Sequence, residues 1–234
     1  RSLGDADTLP RDALERLLKE GENALIQAGF SDNALGVEMK RFERVAQYMI
    51  VFEEERRDYG FLPTALEALG DITFEAPGGL FTLTARADRI DLRPSGALDI
   101  VDYKTGQPPS AKEVAAGFAP QLPLEAAMAA RGAFEDAPSH EPGDLIYVRL
   151  SGGRVPGEPK SMVRNPDGDD AGILAEQALE RLVKWVANFD DPRRTYPSQP
   201  RVKFINKWGD YDHLARRKEW ASAPGDDNGE GGAS

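Results

Sequence analysis

Apolar positions in the first sixty residues recur every three or four places, and after that the period changes. Between Pro10 and about Ala28, the spacing of Leu14, Leu17, Leu18, Ala24 and Leu25 predicts an amphipathic helix, with Pro10 suited to its first turn. A second helix is predicted from about Val37 to Tyr59, where Phe42, Val45, Met49 and Phe52 make one stripe and Gly60 stands where a helix stops. The charge run Glu53 to Arg57 in that helix reads as a solvated face. From Asp71 onward apolar and polar residues alternate. Asp71 to Ala76, Leu80 to Leu92 and Ala97 to Lys104 read as three strands of an antiparallel meander, separated by Pro77, Gly78 and Gly79 and then by Arg93 to Gly96. A helix from about Ala111 to Ala130, a strand from Asp144 to Leu150 and a helix from Ala171 to Phe189 follow, while Ser151 to Asp170 is rich in turn formers and reads as loop. Helices, three strands, helix, strand, helix is an α/β order around a mixed sheet.

Composition narrows the chemistry. A chain of 234 residues with 40% hydrophobic content can fill an ordinary core. No stretch approaches the roughly 18 consecutive apolar residues of a membrane span, and RSLGDADTLP lacks the apolar centre of a signal peptide, so a cytoplasmic address without membrane contact is expected. With no cysteine, the chain has no disulfide, no thiolate zinc site and no thiolate-held iron–sulfur cluster. His140 and His213 are its only histidines, so a bound metal would be held chiefly by carboxylate oxygens, which suits a hard ion such as magnesium or manganese. There is no GxxxxGK[ST] phosphate cradle and no internal repeat.

The net charge of -11 opposes a general electrostatic grip on nucleic acid. Its distribution changes that picture, because residues 193–220 hold eight lysines and arginines against three acids, a balance of +5. There Tyr196, Phe204, Trp208 and Tyr211 interleave with the cations. They either stack on bases along a DNA path or pack on the core as the segment wraps around it. His213 reads as a hydrogen-bonded structural residue and His140 as exposed in its loop.

The stretch TARADRIDLRPSGALDIVDYKTG concentrates the candidate chemistry. Side chains alternate along a strand, so Leu98, Ile100, Asp102 and Lys104 share one face. Asp88 lies 14 residues before Asp102, a separation that suits two strands joined by a short turn. Two carboxylates converging across such a pair can hold a magnesium ion and leave room for water and a phosphate oxygen. The backbone carbonyl of Tyr103, turned aside between its neighbours, is a further candidate ligand. Lys104 can orient or deprotonate an attacking water, or neutralise charge on phosphate. The bland reading of the trio is an ion-pair cluster at strand ends. Arg89 and Asp91 stand as either a structural salt bridge or part of a site.

The blocks ARADRID, IVDYKTG and QLPLEAA, in that order and at those intervals, resemble the PD-(D/E)xK nucleases in their RecB-like form, which reads GxxDRxD, then DYKTG, then a glutamine-containing helix. Within that family the chain is most like AddB-type C-terminal nuclease domains, from about Arg41 through YDHLARRKEW. The resemblance implies a restriction-endonuclease-like core over residues 37–190, a mixed sheet flanked by helices. A helical extension (1–36), a basic aromatic segment (191–222) and a disordered acidic tail (223–234) complete the chain. It implies Asp88 and Asp102 as ligands of Mg2+ (Mn2+ as substitute), Lys104 as the catalytic lysine, and Gln121 as a helix residue that positions the lysine or the scissile phosphate. It further implies hydrolysis of DNA, exonucleolytic and on single-stranded ends delivered by a helicase, in double-strand break repair and recombination beside an AddA-like partner subunit. The alternative is a nuclease-fold scaffold that binds DNA or a partner without cutting. Two departures stand out: Glu125 occupies the place where the family's helix carries tyrosine, and no histidine precedes His140 to act as an early-helix metal ligand.

Overall fold

The computed structural model describes residues 8–165 and 170–194. The basic aromatic stretch from residue 195 on, with His213, and the acidic tail lie outside the described residues. Two helices come first, α1 (Ala13–Gln27) and α2 (Asp32–Asp58). They approach closely: a Cβ on Gly21 of α1 would stand 1.9 Å from the Phe42 ring of α2, so only glycine fits at that crossing. Strands β1 (Leu62–Ala76), β2 (Gly79–Leu92) and β3 (Leu98–Lys104) follow, then α3 (Ala111–Ala116), α4 (Gln121–Ala130), β4 (Pro142–Leu150), β5 (Gly157–Ser161) and α5 (Asp170–Phe189).

The sheet runs in the order β1-β2-β3-β4-β5. The first three strands form the expected antiparallel meander, β3 and β4 are parallel across the α3–α4 connection, and β5 returns antiparallel to β4. One sheet face carries Ile90, Leu98, Ile100, Leu145 and Tyr147 against α4 and α5; the other carries Val101, Ile146 and Val148 against Phe52 of α2. The result is the mixed α/β sheet with helices on both faces that the hydrophobic pattern indicates, the architecture the resemblance implies. α4 packs against α5, and both helices bury small residues, Ala126, Ala127 and Ala129 on one and Ala171, Ala175 and Ala178 on the other.

Four expectations are corrected. β1 begins at Leu62, not Asp71; LPTALEALG favours helix by composition, but pairing with β2 over the whole length, Leu62↔Leu92 to Ala76↔Gly79, overrides that preference. Pro63 is tolerated because β1 is an edge strand. The single helix from Ala111 to Ala130 is two helices, since Gly117 adopts a left-handed conformation (φ 80) that ends α3. The loop from Ser151 to Asp170 contains β5, a polar edge strand without alternation, recruited by β4 through pairs such as Tyr147↔Lys160.

The fourth correction matters most. The run Glu53 to Arg57 is only in part a solvated face: Glu54 and Glu55 are exposed, but α2 lays Glu53 (3% exposed), Arg56 and Arg57 against the sheet. Arg56 donates to Asp91 Oδ2 at 2.6 Å and to Asp99 Oδ2 at 2.8 Å, with its guanidinium over the Phe61 ring. Arg89 donates to Asp91 Oδ1 at 2.6 Å, to Glu53 and to the Tyr103 hydroxyl at 3.3 Å; Arg57 also pairs with Glu53, and Arg93 with Asp99. Arg89 and Asp91 are therefore a structural ion pair, on the face opposite Lys104.

Ion pairs this deep are costly to break singly, because the surviving charge stays buried. Asp91→Ala, which leaves Arg56 and Arg89 without their shared acceptor, is expected to cost about 3–5 kcal/mol in urea unfolding. Arg86→Ala, which breaks an exposed pair with Glu67, should cost under about 1 kcal/mol. Equal costs for the two would show that the buried network is not what holds α2 to the sheet.

Candidate active site

The site forms where two strands stop pairing. The β2–β3 ladder runs from Leu92↔Leu98 to Arg89↔Val101 and ends there, one position short of Asp88 and Asp102. Beyond it β3 pairs with β4 alone, through Asp102↔Tyr147, Tyr103↔Val148 and Lys104↔Arg149. The Tyr103 N–H, left without a strand partner on the β2 side, donates to Asp88 Oδ2 at 3.0 Å. In an extended strand the N–H and C=O of one residue point the same way, so the Tyr103 carbonyl also faces Asp88.

The irregularity extends into β2. Leu83, Ala85 and Ala87 face the main core before Asp88, and Ile90 and Leu92 face it afterwards, so the alternation slips by one at this residue. Across the β1–β2 ladder, Glu67 falls between the pairs Leu66↔Arg89 and Ala68↔Ala87, opposite Asp88. Its φ of 52 makes it the one non-glycine residue with positive φ among those described. Such a conformation costs energy and persists only where surrounding structure enforces it, commonly beside functional groups.

Asp102 and Lys104 share the face that looks toward α4, as alternation requires. Asp102 is 2% exposed. Lys104 Nζ donates to Asp102 Oδ1 at 3.0 Å and lies 2.8 Å from Oδ2, at an angle too poor for a hydrogen bond. Gln121, the first residue of α4, joins the group: its Nε2 donates to Asp102 Oδ1 at 2.6 Å and its Oε1 accepts from Lys104 Nζ at 3.2 Å. The structure thus brings Asp88, Asp102, Tyr103, Lys104 and Gln121 together; His140 is exposed in a loop.

Two neighbours escaped the sequence reading. Gln121 Nε2 also donates to Glu125 Oε1 at 3.2 Å, and Glu125 is 3% exposed with Oε2 buried and unpartnered. The i,i+4 spacing of Gln121 and Glu125 on one helix face was the available signal. Tyr147 of β4 lies beside them, its ring centroid 5.7 Å from Lys104 Nζ. Only the parallel β3–β4 register places it there, and sequence does not disclose that register.

Burial dominates the electrostatics. It raises the Asp102 carboxyl above its ordinary value, with Lys104 pulling it down and Asp88 pushing it up. Burial pushes Glu125 up to about 7 against its Gln121 hydrogen bond, with the charges of Asp102 and Asp88 adding to the rise. Burial likewise pushes the Tyr147 hydroxyl up to about 12, helped by the charges of Asp102 and Glu125.

The donor set suits a hard divalent cation. Asp102 Oδ2 is buried without a hydrogen bond, Asp88 stands across the opened ladder, and every candidate ligand atom is oxygen. Among the described residues no three acidic or histidine side chains converge into a cage for an ion. The fit is therefore to two carboxylates and the Tyr103 carbonyl.

Acids on two adjoining strands, a lysine two residues after the second and a glutamine opening the next helix define a D…DxK centre on a mixed sheet. The sequence profile of the PD-(D/E)XK nuclease superfamily matches residues 2–201, and the chain belongs to that superfamily. An uncharacterized protein of Rickettsia bellii is 28% identical over 131 residues, covering 56% of this chain and 16% of that protein. Uncharacterized protein RC0550 of Rickettsia conorii is 28% identical, with 57% of this chain and 17% of that one covered. Uncharacterized protein RT0391 of Rickettsia typhi is 34% identical over 85 residues, 36% of this chain and 10% of that one. The chain thus spans less than a fifth of the curated relatives it matches. The solved structure of SSO0001 superposes with a TM-score of 0.32 at 16% identity, over 72% of this chain and 70% of that one, too slight a likeness to carry weight.

The raised Glu125 carboxyl has a consequence for stability. The folded chain holds this proton more tightly than the unfolded one, so the stability it contributes is complete below about pH 4.5 and is lost as pH rises through about 7. Without divalent cations, Glu125→Gln should therefore gain stability over the native chain on going from pH 4.5 to pH 8, by on the order of 3 kcal/mol. Parallel denaturation curves at the two pH values would show instead that Glu125 titrates as an ordinary surface acid.

Proposed function

We propose that this chain is a divalent-cation-dependent deoxyribonuclease of the RecB-like kind, using Mg2+ with Mn2+ as substitute. The observation that carries the reading is the convergence of Asp88, Asp102, Lys104 and Gln121 at the opened end of the β2–β3 ladder. Asp88, Asp102 and the Tyr103 carbonyl would hold the ion. The chemistry such an ion supplies when bound is polarisation of the phosphodiester and easier deprotonation of water.

The residues of the chain do the rest. Lys104, held by Asp102 and Gln121, presents an ammonium that neutralises charge developing on the phosphate oxygens and orients the attacking water. Gln121 fixes that ammonium by accepting from it while its own N–H groups bind Asp102 and Glu125. Asp88 keeps the Tyr103 peptide turned toward the site through its N–H.

The likeness to AddB-type nuclease domains supports a finer reading: exonucleolytic cleavage of single-stranded ends delivered by a helicase, beside an AddA-like partner, in double-strand break repair and recombination. That the likeness occupies a small part of much longer relatives agrees with a nuclease module joined to other machinery. A second reading, a nuclease-fold scaffold that binds DNA or a partner without cutting, is favoured by the net charge of -11.

Labelled single-stranded and duplex DNA, incubated with and without Mg2+, separate the two. Lys104→Ala is expected to lower cleavage by at least about a hundredfold while DNA binding persists. Asp102→Ala should abolish cleavage and calorimetric Mn2+ binding together. DNA bound but left intact by the native chain in the presence of Mg2+ or Mn2+ would favour the scaffold.

A further inference from the structure

Asp88, Asp102 and Lys104 alone sum to one negative charge, too little to balance a divalent ion. Glu125 changes the sum: three carboxylates against one ammonium give 3 − 1 = 2 net negative charges. The groups whose fields act on Glu125 are Asp102, Asp88 and Lys104, all of them in the site. Glu125 is 3% exposed, one of its oxygens is committed to Gln121, and the other is buried without a hydrogen bond. An unpartnered carboxylate oxygen at such depth is unfavourable unless a proton or a cation compensates it, and above the pH at which the proton leaves only a cation can. The basic side chain nearest this group in the hydrogen-bond chain, Lys104, is already shared between Asp102 and Gln121. The acidic side chains do not converge into a cage, so Glu125 is not placed as a direct ligand.

We propose that Glu125 is the third anion of the cation site, setting affinity for a divalent ion through its field and not by ligation. The proposal rests on the nuclease reading of the same site. Glu125 also has a positioning contact with Gln121, and the substitution that separates the two roles is Glu125→Gln, whose amide oxygen still accepts from Gln121 Nε2 while the charge is gone.

The test is Mn2+ titration of the full 234-residue chain by calorimetry at pH 8, with cleavage measured over the same Mn2+ range. Glu125→Gln should weaken Mn2+ binding about tenfold, the scale of one unit charge acting on a divalent ion several ångströms away in a medium between protein and water. The Mn2+ concentration for half-maximal cleavage should rise by the same factor, and the rate at saturating Mn2+ should return to the native value. Glu125→Asp, which keeps the charge, should stay within about threefold of native affinity. Native affinity in Glu125→Gln, with binding lost in Asp102→Asn, would overturn the role of Glu125 and leave the site intact. A rate that stays low at saturating Mn2+ would overturn it in favour of positioning through Gln121. Native-like binding in Asp102→Asn as well, or no binding by the native chain, would remove the nuclease reading and this inference with it. Thermal unfolding without metal checks that each variant is folded.

Discussion

Tyr103 is gripped from two directions by two consecutive residues of the adjoining strand. Asp88 takes its peptide N–H at the end of the β2–β3 ladder, and Arg89 takes its hydroxyl on the face that carries α2. The break in alternation at Asp88 lets one dipeptide do both. The grip fixes β3 where its ladder with β2 has ended, and so fixes the two residues that flank Tyr103 in sequence, Asp102 and Lys104. Behind Arg89 stand Asp91, Arg56, Asp99 and Glu53, an ionic layer between the sheet and α2 that has no contact with the proposed chemistry. The layer turns the motif DRID into one mechanical unit: its first acid serves the site, and the other charged residues hold the scaffold on which the site is mounted.

Much of this was legible from the residues. Alternation in Leu98, Ile100, Asp102 and Lys104 placed the last two on a common face, and the short turn between two strands brought Asp88 beside them. The meander, the further strand after a helical stretch and the closing helix α5 also followed from period alone. What sequence could not show were features set by partners distant along the chain. β1 is strand from Leu62 because β2 pairs with it throughout, against the local preference of Ala, Leu and Glu. β5 exists because β4 offers it an edge. The run from Glu53 to Arg57 looks solvated until Asp91, Asp99 and Arg89 are known to lie beneath it.

The same limit applied within the site. Glu125 was visible only as a departure from a family pattern, and its burial beside Gln121 depends on how α4 is pressed onto the sheet. Tyr147 was visible only as a strand residue. A lone acid on a mostly apolar helix is thus worth projecting onto the helix face: four residues from a site glutamine, it occupies the same side and the same space.

The buried alanines of α4 and α5 bear on how Gln121 keeps its place. Buried methyl groups have no rotamers to rearrange, so a larger side chain in their place cannot be absorbed where it stands. A bulkier residue at Ala126, Ala129 or Ala175 would have to lift α4 bodily, carrying the amide at its first turn away from the ammonium it touches. Tolerance to change is therefore expected to be low along a plain, uncharged line of small side chains that shares its helix with Gln121 and Glu125.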